Sequence, residues 1–438
     1  MMKSIGAILF WLLGLAFVFI SFNVNDPYLI SLRGWSRLGL VVAAVAVVAW
    51  LLRVEPWRSR SIAARLLVLL WCLPPFALMS AHASVELRKR SVLTTDSAPA
   101  HRLGQHFIVG YSSFNEIALL AEKGLIAGIY VTRHNIAGKT AGDLKAEIAA
   151  LQERRRAADL PPLIVAADQE GGIVSHLSPQ LTALPALSTL ADLPPDEGAS
   201  KAEEFGRVHG RELAALGITL NFAPVLDLRP QSRRNRLDFN TLIGQRAISD
   251  DPAKVANIAL AYARGLDTFG VGATAKHFPG LGRVRADTHH FSASLDTPLA
   301  ELEASDWRPF RQVLERSSTR LMIGHVALTA IDPDHAASHS KRVVDGIIRK
   351  KWNFHGVIIT DDLVMGAIYA HGICPATVEA LNAGVDLLLV AYDGAQFYRI
   401  FECAREALAR GKLDTGMLQA SEARLMPSDK AGRSIARK

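Results

Sequence analysis

The segment Asp287-Thr-His289-His290 places a carboxylate two residues from an imidazole. An aspartate at that spacing can hydrogen-bond one ring nitrogen, fix the tautomer and leave the other nitrogen for proton transfer. The triplet is also common by chance. A metal pair is a second reading, although no further carboxylate–histidine spacing supports one. Other reactive side chains stand directly after short apolar runs: Asp168-Gln-Glu-Gly-Gly172, Asp227, Lys276-His277, His325 and Asp361-Asp362. Taken singly, each has a plain structural role, an aspartate as a helix cap and a histidine as a hydrogen-bonded core residue. Their shared position after apolar runs is what makes them candidates as a group.

The elements that would position them follow from the hydrophobic pattern. The apolar runs are His106–Tyr111, Leu125–Val131, Leu163–Ala167, Thr219–Val225, Ala273–His277, Leu321–Val326, Val357–Thr360 and Val385–Val390. Helix-like stretches separate them, clearest at Ser200–Leu216, Pro252–Phe269, Leu302–Arg316 and Ala376–Ala383. Short buried strands alternating with helices predict an α/β fold with a parallel sheet. Eight such units suit a TIM-type (β/α)8 barrel, in which functional groups gather at the carboxyl ends of the strands. A doubly wound open sheet is the competing architecture. Its dinucleotide-binding form lacks support, because no G-x-G-x-x-G follows the first strand.

Lys276 and His277 are adjacent donors enclosed by apolar residues. In a core they would be costly unless paired. In a pocket they can donate to sugar hydroxyls or an acetamide oxygen. Gly171-Gly172 and Gly280-Leu-Gly282 follow polar strand ends, where glycine permits tight turns or close approach to a ligand.

Hydrophobic residues make up 50% of the chain, and the excess over an ordinary soluble protein sits in the first eighty or so residues. Ile5–Phe22 is an uncharged eighteen-residue run, Leu38–Leu52 a second and Leu66–Met79 a third, the last carrying Pro74 and Pro75. The first alone would fit a signal peptide, but two more runs follow, which favours an α-helical transmembrane region ahead of the barrel. With three spans, Lys3, Arg53, Arg58, Arg60 and Arg65 face Arg33, Arg37, Arg88, Lys89 and Arg90, five against five. The residues flanking the first run lean to an inside amino terminus, which puts the large domain outside with three spans and inside with two. The net charge of +7 comes largely from arginines at run ends, at Arg154–Arg156 and in the Gln231–Arg236 loop. No aromatic residues interleave with them, so a nucleic-acid partner is not expected. Cys72, Cys374 and Cys403 suggest neither a disulfide framework nor a zinc site.

Longer blocks now spell a family. Lys276-His-Phe-Pro-Gly-Leu-Gly282 followed by Asp287-Thr-His289 resembles the signature of bacterial beta-N-acetylglucosaminidases of glycoside hydrolase family 3, and Gly356–Gly366 is similar to that family's nucleophile strand. Asp168–Gly172, Asn221–Asp227, Ile243–Arg246 with Asp251-Pro252, Met322–Val326 and Ala337–Ser340 match further blocks in order, over roughly Gly104 to Ala409. The resemblance implies Asp361 as nucleophile, His289 as acid/base, Asp287 as its partner, and sugar binding by Asp168, Arg246, Lys276 and His277. It implies no metal or organic cofactor. Three positions depart from the pattern: Ile173 and His176 stand where the family commonly has arginines, and Leu281 where a histidine is frequent. His176 is therefore a further candidate for contact with the sugar.

The organisation expected is a transmembrane anchor region at 1–82, a linker at 83–101, the catalytic barrel at 102–426 and a basic tail at 427–438. The expected activity is retaining hydrolysis of terminal N-acetylglucosamine linkages, with peptidoglycan fragments as the substrate implied by the resemblance. The expected location is the cytoplasmic membrane, multi-pass, with the barrel on the outer face. Two rivals are a glycoside phosphorylase, since a neutral histidine acid/base would tolerate phosphate as acceptor, and a non-catalytic membrane-tethered glycan-binding protein. The presence of both Asp361 and His289 argues against the second.

Overall fold

A computed structural model describes residues 2–54, 61–230, 241–369 and 371–426. Arg58 and Arg60, the Gln231–Arg236 loop and the 427–438 tail lie outside the described residues. The chain divides into two compact units, residues 1–94 and 95–438.

The larger unit is built on eight parallel strands. They are β1 (Phe107–Gly110), β2 (Gly128–Val131), β3 (Ile164–Ala167), β4 (Leu220–Asn221), β5 (Thr274–Phe278), β6 (Arg320–Ile323), β7 (Ile358–Asp362) and β8 (Leu387–Val390). Their spatial order is β4-β3-β2-β1-β8-β7-β6-β5. Register is set by pairs such as Ile108↔Gly128, Phe107↔Leu388 and Ile358↔Leu321. Between β5 and β4 the ladder thins to the isolated parallel bridges Leu220↔Gly272 and Val225↔Lys276, which bring the ends of the sheet together as a nearly closed barrel. Every expected apolar run overlaps one of these strands. Ile108, Tyr130, Ala166, Leu220, Phe222, Met322, Ile359, Leu387 and Leu389 pack together in one core cluster.

Helices alternate with the strands. Pro195–Leu216 begins with proline in its first turn, where a missing N–H costs nothing, and ends at Gly217 with φ 89°. It lies against Pro252–Asp267 so closely that a Cβ on Gly206 would sit 2.2 Å from the carbonyl oxygen of Tyr262. The stretch expected as one helix over Leu302–Arg316 is two, Leu299–Ala304 and Trp307–Arg316. Arg283 donates to Asp306 Oδ2 (2.8 Å) and Ser305 Oγ (3.2 Å) at the break, and such short polar side chains compete with helix continuation. Ala141–Ala157 was not anticipated, although Thr140 and Asp143 form a capping box at its start.

Cys374 and Cys403 form a disulfide, correcting the sequence expectation of no such framework. They are 29 positions apart and lie on the packed helices Ile373–Ala383 and Phe397–Ala409, a proximity that appears only once β8 has returned the chain.

In the smaller unit, Met2–Phe22, Trp35–Val54 and Ile62–Leu93 are helical. The last continues through Pro74 and Pro75 and through most of the stretch expected as a linker. The linker expectation rested on polarity, yet Glu86-Leu-Arg-Lys-Arg90 consists of good helix formers. Trp71 stacks on Phe10 with ring centroids 5.1 Å apart and touches Phe17 at 5.7 Å, tying the first helix to the third. Outward-facing Leu12, Phe19, Val42, Trp50, Leu69 and Phe76 are exposed, a surface that suits lipid better than water. Trp35–Val54 and Ile62–Leu93 are long and apolar enough to cross a membrane; Gly6–Phe22 is apolar but shorter.

Candidate active site

The polar strand ends converge at one mouth of the barrel. Asp168 and Glu170 extend from β3, Lys276 and His277 sit in β5, and Arg246 ends the short helix Ile243–Arg246 in the loop after β4. Glu170 Oε1 and Oε2 receive Arg246 Nη2 (2.6 Å) and Nε (3.0 Å), a two-pronged pairing. Lys276 Nζ donates to Asp168 Oδ1 and lies 2.6 Å from Glu170 Oε1. Tyr130, from β2, donates to Asp168 Oδ2 at 2.6 Å, and its oxygen is 3.2 Å from His176 Nδ1. Two carboxylates and two cations are thereby balanced in a buried space.

The ionisation states follow from that pairing. Burial opposes charge on Asp168 and Glu170, but Lys276 and Arg246 outweigh it and hold both below the ordinary carboxylate range. Burial would lower Lys276, yet Asp168 and Glu170 hold it above its usual value. Burial, aided by Asp168, keeps Tyr130 protonated and therefore a donor. His176 is pushed down, chiefly by burial.

The backbone below is fixed by neutral contacts. Asn221 exchanges hydrogen bonds with the Gln169 backbone, Nδ2 to O at 2.8 Å and N to Oδ1 at 2.9 Å. Gly171 (φ 91°) and Gly172 (φ 64°) turn the hairpin that aims Glu170 inward, a conformation side-chain-bearing residues rarely adopt. Asp227 accepts from the N–H of Leu281 (2.7 Å), and its other oxygen is 2.7 Å from His277 Nδ1. It therefore orients His277 and holds the Pro279–Gly282 turn.

Asp287 Oδ1 is 2.9 Å from His289 Nδ1 and also accepts from Thr241 Oγ1 at 2.9 Å. Asp287 is fully buried while the His289 side chain is 37% exposed, so the ring edge anchored on Asp287 is the inner one. Thr241 also gives its carbonyl to Arg246 Nη1 at 3.0 Å, linking this pair to the ionic cluster. The carbonyls of Thr288 and His289 accept from the N–H groups of Ala367 (3.1 Å) and Gly366 (2.8 Å), just beyond β7. The His289 loop is thus fastened to the segment that follows Asp361.

Asp361 lies near the end of β7. Burial would raise its pKa, but His277, His325 and His289 and the Asp362 N–H (2.8 Å) bring it below the ordinary value. Asp362 does not cap the following helix, as its position after an apolar run suggested for aspartates of this kind. Its oxygens accept from the N–H groups of Val364 (3.1 Å), Ala391 (2.9 Å) and Tyr392 (2.8 Å), joining the ends of β7 and β8. Burial, reinforced by Asp361, lifts Asp362 to about 6 despite those donors. His325 is locked between Ser338 Oγ (2.8 Å) and the Asp362 carbonyl (2.9 Å).

All eight residues singled out from the sequence lie at this mouth or border it. Sequence reading gave no role to Glu170, Asp227, Tyr130, Thr241 or Ser338. Glu170, Asp227 and Ser338 stood in the quoted blocks, and Tyr130 lies one residue before the end of the second apolar run, so the sequence contained a signal for all four. Thr241 carried none.

The profile of the glycosyl hydrolase family 3 N-terminal domain matches residues 100–427. The chain belongs to glycosyl hydrolase family 3. It is 37% identical over 237 residues to a beta-hexosaminidase of Nitrosomonas eutropha, covering 53% of this chain and 66% of that protein. It is 36% identical over 272 residues to a beta-hexosaminidase of Stenotrophomonas maltophilia, covering 61% of this chain and 76% of that one. Among solved structures, a family 3 beta-N-acetylglucosaminidase from Paenibacillus sp. str. FPU-7 superposes with a TM-score of 0.67 at 31% identity, over 74% of this chain and 61% of that one. The family 3 chain described here is accordingly a glycosidase built on a TIM-like barrel.

The elevated Asp362 pKa has a consequence for stability. An acid whose folded pKa exceeds its unfolded value contributes stability below the unfolded pKa and loses it as pH rises through the folded one. For Asp362 that window runs from 3.8 to about 6. The melting temperature of Asp362→Asn, relative to the native chain, should therefore climb between pH 4 and 6 and level off above. A shift of this size corresponds to a change on the order of 3 kcal/mol. Paired thermal melts across pH 4 to 8 check it; a difference that does not vary with pH contradicts it.

Proposed function

We propose that this chain is a retaining beta-N-acetylhexosaminidase that removes terminal N-acetylglucosamine, with peptidoglycan fragments as its substrate. The observation that carries the reading is the Asp287–His289 pair, 2.9 Å apart, on a loop fastened by two backbone hydrogen bonds to the segment after Asp361. A proton-transfer group and a carboxylate nucleophile are thus presented at one barrel mouth. The family 3 relatives named as beta-hexosaminidases support the same activity.

In the double displacement, ionised Asp361 attacks the anomeric carbon while His289 Nε2 gives its proton to the leaving oxygen. Water then attacks the glycosyl-enzyme as His289 takes a proton from it, and Asp361 departs as the carboxylate. Asp287 holds Nδ1–H and stabilises the imidazolium, which is the acid of the first step, is neutral in the glycosyl-enzyme and is regenerated in the second. Asp168, Lys276, His277 and Arg246 bind the sugar. Lys276 has three donors and Asp168 and Glu170 use two, leaving one for a hydroxyl. No step calls for a metal or organic cofactor. His176, beside Tyr130 and Asp168, sits at the edge of the same sugar site. Ile173, 43% exposed, makes the rim apolar, although Arg133 donates to its carbonyl at 3.1 Å and keeps a guanidinium close by.

Loss of the general acid should depend on the leaving group. In His289→Ala, hydrolysis of a natural disaccharide should fall by about 10² to 10⁴-fold, whereas an aryl glycoside of a strongly acidic phenol should fall far less. Equal losses with both substrates would make His289 structural. Added phosphate should leave the product as free sugar; sugar-1-phosphate would establish the phosphorylase instead.

We further propose that the amino-terminal helices anchor the chain in the cytoplasmic membrane as a multi-pass protein with the barrel on the outer face. Two helices of spanning length and apolar surface support attachment. The Cys374–Cys403 disulfide supports the outer face, since such bonds persist in oxidising compartments. A reporter active only outside the cytoplasm, fused after Lys438, should be active. Silence there, with activity from a cytoplasm-only reporter at the same site, would place the barrel inside.

A further inference from the structure

Beside the catalytic mouth, the loop after β6 and the helix after β7 bring together imidazole and carboxylate groups for which the glycosidase reaction has no use. His335 lies in the first, His371 just ahead of the helix Ile373–Ala383, and Glu379 within it. Each offers one ligand atom, and the three atoms all lie within 4.8 Å of one another. All three side chains are partly exposed, between 28% and 37%, so an ion can reach them from solvent. Sequence spacing hides the group, since 36 positions separate the two histidines.

We infer that His335, His371 and Glu379 form a binding site for a divalent transition-metal ion, with zinc the best match. Two imidazoles and a carboxylate are borderline-soft donors, a set that suits zinc and disfavours magnesium or calcium. Zinc bonds of 2.0–2.2 Å in a tetrahedron put ligand atoms about 3.3 Å apart. The present separations, from 2.6 Å up to at most 4.8 Å, bracket that spacing. His371 Nε2 and Glu379 Oε2 are hydrogen-bonded across 2.6 Å, and the ion would replace that contact with its own bonds to both atoms.

An independent observation points the same way. His335 Nδ1 is 3.0 Å from Asp332 Oδ1, and Asp332 Oδ2 accepts from Ser340 Oγ at 2.7 Å. A carboxylate on one ring nitrogen, itself anchored, fixes the tautomer and turns the other nitrogen outward as a ligand. This is the arrangement that supports metal-binding histidines. His339 packs its ring 4.7 Å from that of His371 and shares Ser338 with His325, which in turn holds the Asp362 carbonyl. A bound ion would therefore cross-link the two segments that flank the nucleophile strand. Water would complete the fourth position.

The test uses the full-length chain in detergent, stripped with a chelator and titrated with Zn²⁺ against a chromophoric competitor, with Mg²⁺ and Ca²⁺ as controls. The native chain should bind one equivalent of zinc and melt at a higher temperature in its presence. His289→Ala should keep that equivalent, which separates it from zinc captured by the catalytic pair. The His335→Ala/His371→Ala double variant should lose it, and Asp332→Asn should weaken it by about 10- to 100-fold. Should the double variant fail to fold, Glu379→Gln, close in shape to the original, should show the reduced affinity instead. The inference is overturned if the native chain binds no zinc, if the equivalent disappears in His289→Ala, or if it survives unweakened in the double variant or in Glu379→Gln.

Discussion

The barrel is weakest along one seam and most highly charged directly above it. Between β4 and β5 the strand ladder is reduced to isolated bridges at Leu220↔Gly272 and Val225↔Lys276. At the mouth over that seam, Lys276 reaches from β5 past β4 to Asp168 and Glu170 beyond the end of β3, and Arg246 closes the group from the loop after β4. Buried charges of this kind are tolerable only when all are paired, and removing one partner strands the others at a cost of several kcal/mol. The four side chains must therefore be present together. Their mutual satisfaction fixes where the ends of β3 and β5 and the loop after β4 lie. Thr241 carries that constraint onward, from Arg246 through its carbonyl to Asp287 through its hydroxyl, so the orientation of His289 depends on the same cluster.

This arrangement separates positioning from reaction. The groups that set geometry, Asp227, Asp287 and Asp362, are buried and saturated with hydrogen bonds. Those proposed to react, His289 and Asp361, are only partly covered. Neighbouring aspartates on one strand end illustrate the division. Asp361, surrounded by histidines, is held ionised, while Asp362, enclosed and next to a like charge, is pushed up to about 6. Within the family 3 fold, one strand end thus carries both a candidate nucleophile and the structural tie between β7 and β8.

Much of this could be read from the sequence, for physical reasons. Parallel strands buried on both faces appear as short apolar runs, so all eight were visible, and the barrel placed their polar successors at one end. The helix Ala141–Ala157 was missed because its short buried stripe, Leu144, Ile148 and Leu151, is followed by the charged run Gln152–Arg156, whose Arg155 is buried on the same helix. The break at Ser305-Asp306 depends on Arg283 from another element, which local pattern does not reveal. Glu170 was visible as a residue but not as a partner of Arg246, because the contact spans 76 positions. The Cys374–Cys403 bond and the meeting of His335 with His371 likewise exist only after the chain has closed. At the amino terminus, hydropathy located the apolar segments but not the helix ends, since the third helix continues through polar residues to Leu93.

The central claim is that Asp361 forms a covalent bond to the sugar, and trapping tests it most directly. A 5-fluoro N-acetylglucosaminide bearing an acidic leaving group reacts in the first step, while the fluorine slows hydrolysis of the glycosyl-enzyme. After incubation with the full-length chain, digestion and mass spectrometry should find the sugar's mass on the peptide containing Asp361, and not in Asp361→Asn. Label on another residue, or rapid turnover of ordinary substrate that yields the inverted anomer without any label, would contradict the account.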